Sequence, residues 1–355
     1  MSRLTLLLAA LTLVAIPSTV RASSELPPGD RPVIVKAAFM LYDVNEVAEA
    51  TETFEFEGAL LLNWQDPRQA FDPDAAGTTE RVYKGPYQFA EVFDGWWPQA
   101  VLVNQSGPLE RQGIVLRIEP DGTVWYLVEF NAVAESPMDL RYFPFDTQHF
   151  AADFKLLGYS DAEARFEVIE FDSGLLAERA SKVGNAEWSI SDITVSVETS
   201  ASAIAGASVV GVGSTLKIGM AAERKPGYLI RVVVLPLALI VTLSWVIFWM
   251  DRESLGNRMD ISFIALLTVV AFQIMVEQAL PSIPGFTLMA GFIAANYLLL
   301  AATIVVNLRV DQLDRAGQRA AGDLLDRRCR WIFPSIYFAG MPLLLVILAV
   351  SLRTA

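Results

Sequence analysis

The sequence predicts an all-β sandwich followed by a four-helix transmembrane domain, and three observations carry that reading. The first is an excess of apolar residues. Of 355 residues, 53% are hydrophobic and the mean hydropathy is +0.40, more than a soluble domain needs to fill its core. The second is where that excess lies. Up to about Arg224 polar and apolar residues alternate, whereas the last third is largely continuous apolar sequence. The third is that this last third divides into four charge-free stretches, three of them easily long enough to cross a bilayer.

Taken in order, residues 1–22 read as a signal peptide. Arg3 stands near the start, residues 4–16 are apolar, and Val20-Arg21-Ala22 supplies a small-residue cleavage site. The domain after this segment is expected to be exported. The net charge of −13 and an isoelectric point near 4.6 argue against a nucleic-acid partner. They fit a well-solvated surface, or an acidic vestibule that concentrates cations. Cys329 is the single cysteine, so no intramolecular disulfide holds the exported domain.

Residues 23–224 read as strands. Residues 54–64 form one long run, residues 114–118 another, and Pro120-Asp121-Gly122-Thr123 signals a turn into residues 124–130. Residues 187–196 alternate over a full strand length. Strands this frequent, with short polar turns between them, predict one immunoglobulin-like sandwich. It holds no metal-ligand spacing, nucleophile elbow or phosphate loop, and a lone His149 reads as structural. Neither an enzyme nor a cofactor is expected.

Residues 225–355 form the membrane domain, with spans at about 227–250, 259–278, 286–308 and 331–352. The second is bounded by Asp260 and Glu277, and a span that exposes charge must face water or protein rather than lipid. The connection 309–330 carries six arginines while 278–285 carries no Lys or Arg. The positive-inside rule therefore makes 309–330 a cytoplasmic loop, in agreement with the orientation the signal peptide demands.

Within the exported domain, Phe143-Pro144-Phe145-Asp146 with Gln148 is the most specific stretch. It resembles the signature loop of the Cys-loop receptor superfamily, whose core is Phe-Pro-Phe-Asp-x-Gln. The flanking cysteines of the animal receptors fall on Ser136 and Phe150, leaving the loop unbridged as in prokaryotic pentameric ligand-gated ion channels. The resemblance continues in order along the chain: Trp64, Asp66 and Arg68 at a strand end, Trp96, Pro98 and Asn104, then Arg224, Pro226 and Tyr228 before the first span. Pro236 within that span, and Leu280, Pro281 and Pro284 after the second, complete it.

This resemblance implies a homopentamer around a central pore in a bacterial inner membrane, with ligand sites between exported domains and the second span lining the pore. Read on its own, that span shows one helical stripe: Asp260, Ile264, Leu267, Ala271, Ile274 and Gln278 are spaced 4, 3, 4, 3 and 4. In a pentamer each position becomes a ring. Ile264, Leu267 and Ile274 would close the pore by dewetting, and a carboxylate ring at Asp260, with Glu277 as an outer contributor, would select permeant monovalent cations. Gly256, Asn257 and Arg258 hold no glutamate of the kind many cation channels of the family carry there, and Arg258 lies off the stripe.

Coupling between sandwich and pore is expected, by the same resemblance, at Glu52, Thr53, Asp139, Phe143, Pro144, Phe145, Asp146, Arg224, Pro281 and Pro284. The ligand site is expected around Trp97, Val103, Trp125, Leu157 and Tyr159. Val103 and Leu157 stand where animal receptors have aromatics, and residues 198–215 contain none, which disfavours a quaternary amine held by cation–π attraction. Protons, a divalent cation at Glu46, Glu49 and Glu52, or a small molecule remain as stimuli. A non-conducting membrane receptor of the same fold is the alternative.

Overall fold

A computed structural model describes residues 27–29, 32–169, 183–202, 211–250, 255–279, 286–340 and 342. The predicted signal peptide, Pro281 and Pro284 lie outside them, as does half of the predicted fourth span. Two antiparallel layers make the exported half. One sheet runs β3 (Arg81–Lys84), β5 (Gln105–Ile118), β6 (Thr123–Glu135), β2 (Thr53–Gln65), β1 (Val33–Ala48) and β8 (Ala164–Val168). The other runs β4 (Ala100–Leu102), β7 (Thr147–Leu156), β10 (Gly211–Arg224) and β9 (Trp188–Ser202). Among the described strands only the β1–β8 edge pairs in parallel.

Side-chain alternation decides which face of each strand is buried. On β2, Phe54, Phe56, Leu60, Leu62 and Trp64 point into the sandwich while Glu55 and Glu57 point out. The core between the layers is aromatic: Phe54 stacks on Phe150 at 4.8 Å and Phe130 meets Phe154 edge-on at 5.7 Å. Such pairs add about 0.5–1.5 kcal/mol each beyond the area they bury. The Trp-x-Asp-x-Arg end of β2 is explained locally. Buried Asp66 accepts from the Arg68 guanidinium at 2.8 Å and from the Arg68 amide. The Asp66 carbonyl lies so close to Gly122 (φ +85°) that a Cβ there would clash.

Among the described residues three helices are long and apolar enough to cross a membrane: α1 (Gly227–Trp249), α2 (Leu255–Ala279) and α3 (Leu288–Arg315). In α1 a widened turn at Ile230–Val234 precedes Pro236. Proline lacks the amide donor and crowds the preceding turn, so the helix opens just before it. A fourth helix, α4 (Arg319–Ser335), continues as a widened turn through Ile336–Gly340.

The expected cytoplasmic loop is corrected by the helix boundaries. The segment 309–330 is not a loop: α3 runs on to Arg315, α4 begins at Arg319, and only residues 316–318 turn. Gly317, at φ +73°, ends α3 in the left-handed conformation, and its amide reaches the Asp314 carbonyl. Charged residues lower hydropathy where a helix leaves the bilayer without lowering its propensity to stay helical.

Candidate functional site

Where the sandwich meets the helices, the chain builds a buried ionic node. Arg224 is the last residue of β10, registered against Trp188 at the start of β9, and its amide donates to the Asp146 carbonyl at 3.2 Å. Its Nε donates to Asp146 Oδ1 at 2.8 Å and its Nη1 to Glu49 Oε1 at 2.7 Å, on the β1–β2 turn. The guanidinium carbon lies 4.1 Å from the Trp188 ring centre and 4.7 Å from that of Phe143. Gln148 Nε2 donates to Asp146 Oδ2 at 2.6 Å and to the Asp139 carbonyl, so the second carboxylate oxygen is also satisfied. Both acids and the arginine are nearly inaccessible, the setting in which pairing is obligatory.

The other expected coupling residues divide. Phe143 is buried among the membrane helices, with Val233 and Met289 in the same cluster, while Phe145 is half exposed. Pro144, joined to Phe143 by a cis bond, lies between them. Asp139 does not join the node. It pairs with Arg141 at 2.6 Å, which holds its carboxyl below the ordinary range. Glu52 takes a positive φ of 52° in the β1–β2 turn and its carbonyl accepts from the Ser136 amide, while Thr53 is buried beside Thr51. Glu49, offered by the sequence to a divalent cation with Glu46 and Glu52, is instead committed to Arg224. Among the described residues no group of His, Cys, Asp and Glu is placed to hold a metal.

The loop also reaches α3 directly. The amides of Leu288 and Met289 donate to the carbonyls of Arg141 and Phe143, at 3.0 and 3.2 Å, and the Thr287 hydroxyl accepts from the Ala290 amide. The free donors at a helix start are thus satisfied largely by the exported domain.

Helix α2 has two distinct sides. Arg258, Ser262, Ala265, Val269 and Val276 are buried against the bundle. Arg258 donates to the Ile247 carbonyl at 2.7 Å and to Asp326 at 3.1 Å, tying α2 to α1 and α4. At about 100° per residue, Asp260, Ile264, Leu267, Ala271 and Ile274 lie roughly opposite, and all five are exposed in the single chain. Glu277 is exposed too and accepts from Gln273. The side chain of Gln278 lies outside the described set.

Three of the five expected ligand residues converge. Trp97, Leu157 and Tyr159 line one cavity of about 600 Å³, with Trp96, whose Nε1 donates to the Tyr159 hydroxyl at 2.9 Å. Val103 and Trp125 are elsewhere. Val103 is exposed and its amide donates to the Asp153 carbonyl, while Trp125 donates to Glu119. Sequence reasoning missed Arg111 in this cavity and Trp188 in the node, and it quoted Gln148 in the signature loop without assigning it to the node. It also missed Asp153, half-buried on β7 with Oδ1 unpartnered; its burial pushes its carboxyl up, against the opposing pull of Lys217 and Lys155 and with Glu198 adding to it. Its place on β7, in step with Thr147, His149 and Lys155 on the less buried face, gives no sign in the sequence that it is half-buried.

Comparison with known proteins bears on the whole arrangement. The family model described as the neurotransmitter-gated ion-channel ligand binding domain matches residues 22–218, and that of the transmembrane region of the same channels matches residues 233–319. A proton-gated ion channel of Gloeobacter violaceus is 27% identical over 317 residues, 88% of this chain and 82% of its own length. An acetylcholine receptor subunit beta-type of Caenorhabditis elegans is 23% identical over 84% of this chain and 56% of its own length. A gamma-aminobutyric acid receptor subunit alpha-2 of Bos taurus is 28% identical over 57% and 44% respectively. With both halves of the architecture matched in order, the chain belongs to the neurotransmitter-gated ion-channel family.

Proposed function

We propose that the protein is a homopentameric cation channel of a bacterial inner membrane, opened by a stimulus at its exported domain and conducting along α2. The observation that carries this reading is the two-sidedness of α2. Its buried stripe accounts for packing within the subunit, and its exposed stripe, polar at Asp260 and apolar from Ile264 to Ile274, has no partner within the described part of the chain. Five copies around an axis would turn that stripe into rings, with carboxylates attracting monovalent cations and apolar rings closing the path by dewetting. The prokaryotic relative supports a bacterial membrane.

Protons are the stimulus we favour. The Gloeobacter relative carries that description, and Asp153 is a carboxyl whose burial already favours its neutral form. Recording from the purified chain in lipid, with steps in external pH and a salt gradient, tests the reading. Currents evoked by acid and reversing near the cation equilibrium potential are expected. Reversal near the chloride potential would remove cation selectivity. Silence across pH and ligand screens would favour a non-conducting receptor of the same fold.

A further inference from the structure

The start of α2 carries a positive charge that has no part in the exposed stripe. Arg258 lies two residues before Asp260, is fully buried, and shares the packed side of the helix with Ser262 and Ala265. Asp260 is exposed on the other side. At about 100° per residue the two side chains leave the helix roughly 200° apart. The guanidinium therefore stands behind the carboxylate, across the helix from the face that Asp260 shares with Ile264 and Leu267.

Arg258 is anchored locally and its charge is permanent. Its Nε and Nη2 donate to the Ile247 carbonyl at 3.0 and 2.7 Å, near the end of α1, where a helix leaves its last carbonyls without amide partners. Arg330 takes the next carbonyl, that of Phe248, from α4. A guanidinium does not deprotonate in a protein, so only a carboxylate can offset this charge. Gly256 and Asn257, just before it on α2, supply none. The offset comes from Asp326 on α4, 68 residues along the chain, whose Oδ2 accepts from Arg258 Nη2 at 3.1 Å. Ser262 and Asn307, joined at 3.0 Å, are buried in the same part of the bundle, as is Cys329 one turn along α4. Charges held away from water act over a longer range than charges in solvent.

We propose that Asp326 determines cation selectivity from outside the pore: by neutralising Arg258 it leaves the field at the cytoplasmic end of α2 to Asp260. With an uncompensated arginine behind each Asp260, the two charges would oppose one another along the path of the ion. With Asp326 ionised, each subunit keeps one negative charge in excess at that level. The carboxylate that the start of α2 lacks is thus supplied by a helix that does not line the path. The inference rests on α2 lining a cation-selective pore.

The test is the reversal potential of the full-length protein in lipid bilayers under a potassium chloride gradient, with unfolding temperature in detergent as the control for folding. Asp326→Asn keeps an acceptor for Arg258 and removes only the charge. It should lower the potassium-to-chloride permeability ratio by roughly threefold or more, the scale of one buried charge acting across a helix. Asp326→Glu should keep the wild-type ratio. So should Asp323→Asn, which alters an exposed acid one turn earlier whose charge water screens. Combining Arg258→Gln with Asp326→Asn removes both charges and should return the ratio toward that of wild type, although the ion pair is gone. An unchanged ratio in Asp326→Asn overturns the proposal. A fall that Arg258→Gln does not reverse also overturns it, because packing then accounts for the effect. If Asp326→Asn does not assemble, Arg258→Gln alone carries the test: it should hold or raise the ratio, and a fall overturns the proposal. A wild type without cation preference removes the reading of the channel itself, and this inference with it.

Discussion

Arg224 and Asp146 stand 78 residues apart in the chain and join their side chains at 2.8 Å, both almost wholly removed from solvent. Removing one partner of such a pair leaves a charge with neither water nor a counter-ion. Asp146→Asn or Arg224→Gln is therefore expected to destabilise the chain by about 3–5 kcal/mol, read as a drop in thermal unfolding temperature in detergent. The double variant should recover part of the loss. Glu49→Gln should cost less, since Asp146 and both aromatic rings still hold the arginine. A double variant no better than the sum of the two single ones would show that the contact carries no coupling energy.

Asp260→Asn is expected to keep the fold, because the residue is exposed and outside the packed stripe. Its effect should appear in reversal potentials under a salt gradient, which should move away from the cation equilibrium potential. An unchanged reversal potential would assign charge selection to another position.

Leu267 is 69% exposed in the single chain, so replacing it with serine removes little packing within a subunit. If the residue forms a closed apolar ring, five hydroxyls there should let water in and raise the resting conductance. Wild-type silence at rest in Leu267→Ser would argue that the constriction lies at Ile264 or Ile274.

Asp153 sets a pH dependence whose sign can be worked out. Burial raises its value in the folded chain above the ordinary 3.8 of the free side chain. The folded state then binds the proton more tightly than the unfolded one. The stability this group contributes is complete below the ordinary carboxylate range and is lost as pH rises through the raised folded value. Asp153→Asn, permanently neutral, should unfold at a higher temperature than wild type at neutral pH and show a flatter dependence just above the ordinary carboxylate range. Lys217, Glu198 and Lys155 face the same carboxyl, so Lys217→Met should steepen the wild-type dependence.

Asp326→Ala leaves Arg258 fully buried on the Ile247 carbonyl with its carboxylate contact gone. Loss of thermal stability is expected, together with altered activation by whatever stimulus opens the wild type. Rescue by Asp326→Glu would assign the effect to the charge, and failure of that rescue would assign it to packing.

Much of this architecture is legible in the sequence because periodicity reports burial. On β2 the alternation of Phe54 and Phe56 with Glu55 and Glu57 states which side faces the core, and on α2 the 4, 3, 4, 3 spacing from Asp260 marks the exposed face. What periodicity cannot report is an event that breaks it. The bulge at Gln112 re-aims Arg111, and nothing in the surrounding strand announces the slip. Glu49 sits in a turn, where no repeat assigns it to Arg224 rather than to solvent or a cation. The segment 309–330 misled for a different reason, since hydropathy reports depth in the bilayer and α3 remains helical beyond it.

The three-residue turn between α3 and α4 bears on how a cell could handle this protein. With the two helices joined so closely, only residues 316–318 lie outside helical structure at that junction, and any partner there would have to read the exposed faces of α3 and α4 themselves.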